Sequence, residues 1–337
     1  MKLIRSCLPL AAFIVAVSAA ALPARAEVKD IVVATASPSV IPALPITVAI
    51  GEGYFQQEGL NVRIEGLNGS SAVLQAMTSG QAHVGNPGAG PFLAARLRGI
   101  DATFIYRLNP NSSYGIVVQE ASPAQTVADL KGSVIGVGTA DGAETAFARS
   151  ILTEAGLKEG ADYTFLVVGD GGMAAAAFAR QDVGAYVAAT ADSAILNTRG
   201  FALRNITPDK YRVFFGNGLA VMTDFLKENP ETIAAFGRAV VKGARFAADP
   251  TNVDKVLAHV VAINPQEGED SAFATALIRQ IIVRQTPFDL SKGYGYQDHA
   301  AWQAWQDSLV ASGDLAQPLP DLKAVYTNDF VPDWNSQ

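Results

Sequence analysis

Cysteine and histidine are nearly missing from this 337-residue chain: there is one Cys and there are three His. A single cysteine, Cys7, allows no internal disulfide and no thiolate metal cluster. The histidines, His83, His259 and His299, form no HExxH pair, and no G-x-S-x-G elbow is present. Motifs for metal or nucleophilic catalysis are therefore absent, and the expectation is a non-enzyme with no cofactor and no metal. Long apolar runs are equally scarce, since nothing after Leu22 approaches the ~20 residues that a spanning helix needs. Basic residues are outnumbered, 25 Lys and Arg against 32 Asp and Glu, a formal net charge of −7. That balance argues against nucleic acid or anionic lipid as partners.

What is present starts at the N-terminus. Lys2 and Arg5 precede an apolar run from Leu8 to Leu22 that ends in Ala24-Arg25-Ala26, the pattern of a secretory signal cleaved after Ala26. Cys7 lies before the apolar core rather than at the cleavage point, so no lipid anchor is expected. Removing residues 1–26 leaves 311 residues, a length that suits two domains, and 22 basic against 32 acidic residues, a net charge of −10. Such a chain, free of cysteine, must rest on packing. An unanchored secreted protein is retained only by an outer membrane, which predicts a periplasmic location.

From Val28 onward, β-branched runs alternate with amphipathic helical segments, the signature of α/β architecture with largely parallel sheets. Strands are predicted at 28–34, 62–65, 82–85, 102–106, 114–118, 134–137, 163–168 and 184–187. Helices are predicted at 42–52, 143–155 and 172–180, with another capped by Ser70 or Ser71 and stopped by Gly80. His83 to Gly99 and Gly184 to Gly200 echo each other as strand, loop and helix ending in Arg-Gly, 101 residues apart, as duplicated lobes would. Beyond Met222 helices dominate and are expected to pack on the first lobe. Trp302, Trp305 and Leu309 share one helix face, which reads as packing rather than an aromatic box for a ligand. Gly136-Val137-Gly138 with Gly142 fails the dinucleotide fingerprint, because Asp141 holds the third glycine position.

Three motifs carry a resemblance. Gly51-Glu52-Gly53-Tyr54-Phe55-Gln56-Gln57-Glu58-Gly59-Leu60-Asn61-Val62, then Asp129-Leu130-Lys131-Gly132 with Ile135-Gly136-Val137, and finally Tyr326-Thr327-Asn328-Asp329-Phe330 resemble the nitrate, sulfonate, taurine and pyrimidine-precursor family of periplasmic binding proteins, in the family's order. His83 departs from the pattern, which usually has aspartate there, and reads as a strand-end structural residue. The resemblance implies a type II-like two-lobed periplasmic binding protein fold: two parallel-sheet α/β lobes joined by two crossover strands, with the C-terminal helices on lobe one. Lobe one is expected at 27–115 and 217–337, lobe two at 116–216, with Gly115, Gly216 and Gly218 at the hinge. It also implies a monomer that hands a small solute to an inner-membrane ABC permease with its cytoplasmic ATPase.

In open α/β sheets ligands bind beyond the carboxyl ends of the strands, where helix N-termini offer free N–H groups. The corresponding loops nominate Ser37, Pro38 and Ser39, then Asn86, Pro87 and Gly88. Arg107 and Asn109 follow in the third loop. From lobe two come Thr139, Asp141, Gly142 and Glu144, then Thr190 and Asp192, with Asn217 at the second crossing. Arg107 is the only basic residue among them. Three carboxylates facing one arginine predict an amine, a pyrimidine precursor or an amino-sulfonate as solute. The alternatives are an anion such as a sulfonate, nitrate or aromatic carboxylate, a sensor role and, last, a pyrimidine-forming enzyme. Asp141→Ala or Asp192→Ala is expected to weaken binding without altering the melting of the free protein.

Overall fold

The structure, a computed structural model, describes residues 29–110, 114–208, 211 and 214–336. The expected signal sequence lies outside the described residues, none of whose helices is long and apolar enough to cross a membrane.

The chain opens with β1 (Lys29–Thr35), α1 (Leu44–Gly51), α2 (Tyr54–Gln57), β2 (Leu60–Gly66), α3 (Gly69–Thr78), β3 (Val84–Asn86), α4 (Ala89–Leu97) and β4 (Ala102–Tyr106). It then makes β5 (Tyr114–Gln119), β6 (Ser133–Val137), α5 (Ala143–Glu154), β7 (Tyr163–Val167), α6 (Gly172–Ala179), β8 (Ala185–Ala189), α7 (Thr190–Thr198) and β9 (Leu203–Asn205). After β10 (Leu219–Met222) only helices follow: α8 (Thr223–Glu228), α9 (Pro230–Ala248), α10 (Val253–Ile263), α11 (Ser271–Gln285), α12 (His299–Ser312) and α13 (Val331–Asn335).

Two five-stranded sheets result, ordered β2-β1-β3-β10-β4 and β7-β6-β8-β5-β9. Each has a parallel core of three strands, and each is mixed because β10 and β5, which arrive from the other lobe, pair antiparallel to their neighbours. The two orders correspond strand for strand, so the sequence echo marks β3–α4 and β8–α7 at equivalent places. Both repeats end on a glycine with positive φ, Gly99 at 91° and Gly200 at 89°, a conformation that costs glycine little.

The three family motifs are structural. Phe55 is fully buried and Leu60 nearly so, while Gly53 and Gly59 supply positive φ on either side of α2. Asp129 accepts hydrogen bonds from the N–H groups of Gln125 and Thr126 and from the Thr126 hydroxyl, fixing the turn before β6. Asn328 exchanges two hydrogen bonds with the Gln297 backbone, and Thr327 donates its N–H to the Phe104 carbonyl. His83 is structural too: its Nδ1 accepts the Val32 N–H at 3.1 Å and its own N–H bonds the Val32 carbonyl, tying β3 to β1.

Several local expectations need correction. Neither Ser70 nor Ser71 caps α3, which begins at Gly69 after Asn68; Ser70 Oγ instead accepts the Gly88 N–H. The crossings also sit outside the strands, because β5 lies in the second sheet from Tyr114 and β10 in the first from Leu219. Between the lobes, the two crossing segments bond each other: Asn109 N–H to the Asn217 carbonyl, and Gly216 N–H to the Asn109 carbonyl, both at 3.0 Å.

The helices α9 and α10 pack against α1 of lobe one, whereas α11 touches α7 and α12 touches both α4 and α5. As expected, Trp302 and Trp305 are packing residues, fully buried on α12. Trp302 sits among Phe92, Phe104 and Phe215, while Trp305 meets Phe147 of α5 and Phe214. One apolar cluster therefore runs through both lobes.

Candidate functional site

The carboxyl ends of both sheets face each other across a cavity of about 260 Å³. From lobe one it is lined by Ser37 and Ser39 after β1, Asn86 at the end of β3, Asn109 and Asn217 from the crossing segments, and one face of α11. Lobe two contributes Thr139, Gly142, Glu144, Asp170 and Asp192, with Tyr114 and Tyr186 beneath them. Thr190 opens α7, and its side chain lies outside the described residues.

Five nominated residues are not in the lining. Pro38 packs on Gly66 at the end of β2, and the Pro87 carbonyl is taken by the Gly218 N–H. Gly88 serves close approach of the lobes: a Cβ there would fall 2.0 Å from the Ala143 Cβ. Asp141 is exposed at the rim, its Oδ1 against Gly69 of lobe one. Arg107 is turned away, bridged to Gly295 and set over the Phe215 ring, and it lines a separate depression near Phe288 and Tyr296.

The cation of the cleft is Arg284 instead. Leu277, Ile281 and Arg284 lie four and then three residues apart, so they share one helix face, and all three line the cavity. Arg284 is 7% exposed, its Nε has no hydrogen-bond partner, and no described carboxylate lies within ion-pair distance of it. Burial pushes its pKa down to about 10, which leaves it cationic at neutral pH. The neighbouring Gln285 is locked to the Pro42 carbonyl and to Asn109, which fixes the end of the helix. An arginine seven residues along an apolar helical face was the available sequence signal, and a search confined to strand-end loops misses it.

The acidic side is built differently for each group. Asp192 is 6% exposed and accepts the Gly171 and Ala189 N–H groups, each at 3.0 Å, with the Tyr186 hydroxyl at 3.4 Å. Burial, and then the charge of Asp170, push its pKa up to about 7. Glu144 accepts the Thr139 N–H and hydroxyl at 2.9 Å, and burial raises it despite those bonds. Asp170 is raised as well, by desolvation. Because Asp192 serves its own lobe, Asp192→Ala leaves two N–H groups without partners, which corrects the expectation of unchanged melting. Among the described residues no group of His, Cys, Asp and Glu is arranged to hold a metal ion.

The family profile described as "NMT1/THI5 like" matches residues 42–252, and the chain belongs to that family. Riboflavin-binding protein RibY of Chloroflexus aurantiacus is 27% identical over 297 residues, 86% of this chain and 82% of that protein. The alkanesulfonate-binding protein SsuA from Xanthomonas axonopodis pv. citri, solved with MOPS, superposes with a TM-score of 0.68 at 17% identity, covering 90% of this chain and all of that one. The desulfurization enzyme DSZB superposes with a TM-score of 0.59 at 15% identity, covering 91% and 98%. The fold is thus that of periplasmic binding proteins, and it is also used by an enzyme.

Proposed function

We propose that this protein is the substrate-binding component of an ABC importer. It captures a small polar organic solute in the interlobe cleft and delivers it to an inner-membrane permease served by a cytoplasmic ATPase. It works in the periplasm as a monomer, after cleavage of the leader behind Ala26, and catalyses nothing. The observation that carries this reading is the cavity itself, lined by polar side chains from both sheets at their carboxyl ends. Family membership and the relation to RibY and SsuA support it. Solute contacts are assigned to Ser37, Ser39, Asn86, Asn109, Thr139, Glu144, Asp192 and Asn217, with Asp170 and Arg284 added.

An enzymatic reading has one specific support, the shared fold of DSZB. Against it stands the cleft chemistry: Asp192 and Glu144 are occupied by backbone N–H groups, and no cysteine or histidine is among the described residues lining the cavity. Calorimetry of the chain from residue 27 against amino acids, pyrimidines, sulfonates and riboflavin is the test, with mass spectrometry of the recovered compound. One compound should bind one to one and return unchanged, and small-angle scattering should show a modest fall in radius of gyration as the lobes close. Steady turnover, or unchanged scattering at saturation, would overturn the reading.

A further inference from the structure

Resting on the reading of the cleft as a solute site, we infer that its solute is a small zwitterion. Its anionic end pairs with Arg284 on α11, and its ammonium end sits among Asp192, Glu144 and Asp170 of lobe two. Arg284 is the specificity-determining residue.

The cleft buries charge of both signs with no ion pair between them among the described residues. A buried guanidinium with an unsatisfied Nε is costly until something supplies an acceptor, and Asp192 reaches it only as a field across the cavity, with no ion pair between them. Across the cavity, three carboxylates share one wall with no basic residue among the lining of lobe two. Burial raises their pKa values, so each carboxylate holds a proton more readily than in water and gains from a cation placed against it. Each simple solute class relieves only half of this arrangement. A plain amine answers the carboxylates and places a second cation in a cavity that already buries Arg284. An inorganic anion or simple sulfonate answers Arg284 and faces three acids. A neutral ring brings a countercharge to neither. A zwitterion meets both ends, and a carboxylate or sulfonate suits the planar donor fork of arginine.

The placement of the two poles adds a mechanical consequence. Arg284 arrives on a C-terminal helix, whereas the acids belong to the second sheet's lobe, so a bound zwitterion ties one lobe to the other. α11 also touches α7 of lobe two directly.

Calorimetry at pH 7.5 on the chain from residue 27 decides the matter with a graded set of probes. These are 4-aminobutyrate, 6-aminohexanoate and 4-(aminomethyl)benzoate, with butylamine, butyrate and ethanesulfonate as single-ended controls and riboflavin as a neutral ring. At least one zwitterion should bind a hundredfold or more tighter than its single-ended controls. Arg284→Gln should weaken that zwitterion about 10- to 150-fold while leaving butylamine binding unchanged or tighter. Glu144→Gln, which keeps the shape of the side chain, should weaken zwitterion and amine together, and circular dichroism melts verify that both variants fold. Riboflavin, butyrate or ethanesulfonate binding as tightly as the best zwitterion overturns this inference and leaves the binding-protein reading standing. So does Arg284→Gln with normal zwitterion affinity, or silence from every zwitterion. Conversion of a probe into product sinks the binding-protein reading instead.

Discussion

At the residue scale, Asp192 joins the stability of lobe two to the electrostatics of the cleft. Its oxygens hold the starts of α6 and α7 through the Gly171 and Ala189 N–H groups, while Asp170, Glu144, Tyr186, Tyr114 and Arg284 face it from neighbouring elements. Removing the carboxylate in Asp192→Ala should cost the free protein about 1–3 kcal/mol, the penalty for buried donors left unpaired, readable by urea denaturation. The pH dependence follows from the raised pKa. Between 3.8 and about 7 the folded chain binds a proton that the unfolded chain has released, so this group's contribution to stability is lost as pH rises through 7. Asp170 and Glu144 act in the same direction. His83, whose pKa burial lowers, opposes them only below pH 6.5, where the unfolded chain takes up the proton. The melting temperature of the free protein should therefore fall from pH 6.5 to pH 8, and the slope should flatten in Asp192→Asn. An identical slope in both proteins would remove Asp192 as the cause.

At the scale of elements, α12 is the piece whose sequence says most about its neighbours. Trp302 and Trp305 are three residues apart and face the same way, which the periodicity makes legible. What each touches was not legible, because Phe92, Phe147 and Phe214 lie roughly 90 to 210 residues upstream. Trp305 also donates its indole N–H to the Phe215 carbonyl in the crossing segment. Trp305→Ala should cost about 3–5 kcal/mol in denaturant unfolding, since a large cavity opens where α12, α5 and the crossing segment meet. A loss below 1 kcal/mol would mean that this junction adds little to the fold. The strands and helices themselves were readable from local alternation and from glycines at helix ends. Family membership was readable for the same reason: its motifs are turns and core residues that dictate local structure. None of those motif residues lines the cavity, so recognising the family says little about the solute. The cavity lining was partly readable, where loops follow strands; Arg107 faces a separate depression, and Arg284 lines the cavity from a helix that loop reading does not reach. Which arginine faces inward depends on how α11 docks across the cleft, a long-range matter that local pattern does not encode.

At the scale of the whole molecule, the position of β10 has a kinetic consequence. The strands of the second sheet all fall between residues 114 and 205, so that sheet is a contiguous stretch of chain. The first sheet is interrupted by it. Among the strands of that sheet β4 pairs only with β10, which is made more than a hundred residues later and must slide between β4 and β3. Closing that longer loop adds only about 0.6 kcal/mol per doubling of length, yet distant pairings slow the search for the native arrangement. Lobe two should thus assemble first, and lobe one should remain split until the chain beyond Met222 is available. Pulse-labelled hydrogen exchange during refolding should find the amides of β6 and β8 protected in an earlier phase than those of β4 and β10. Simultaneous protection of both sets would mean that the shared core around Trp302 and Trp305 organises the two lobes together. If lobe two does lead, a folding chain passes through a stage in which one lobe is native and the other still awaits its central strand.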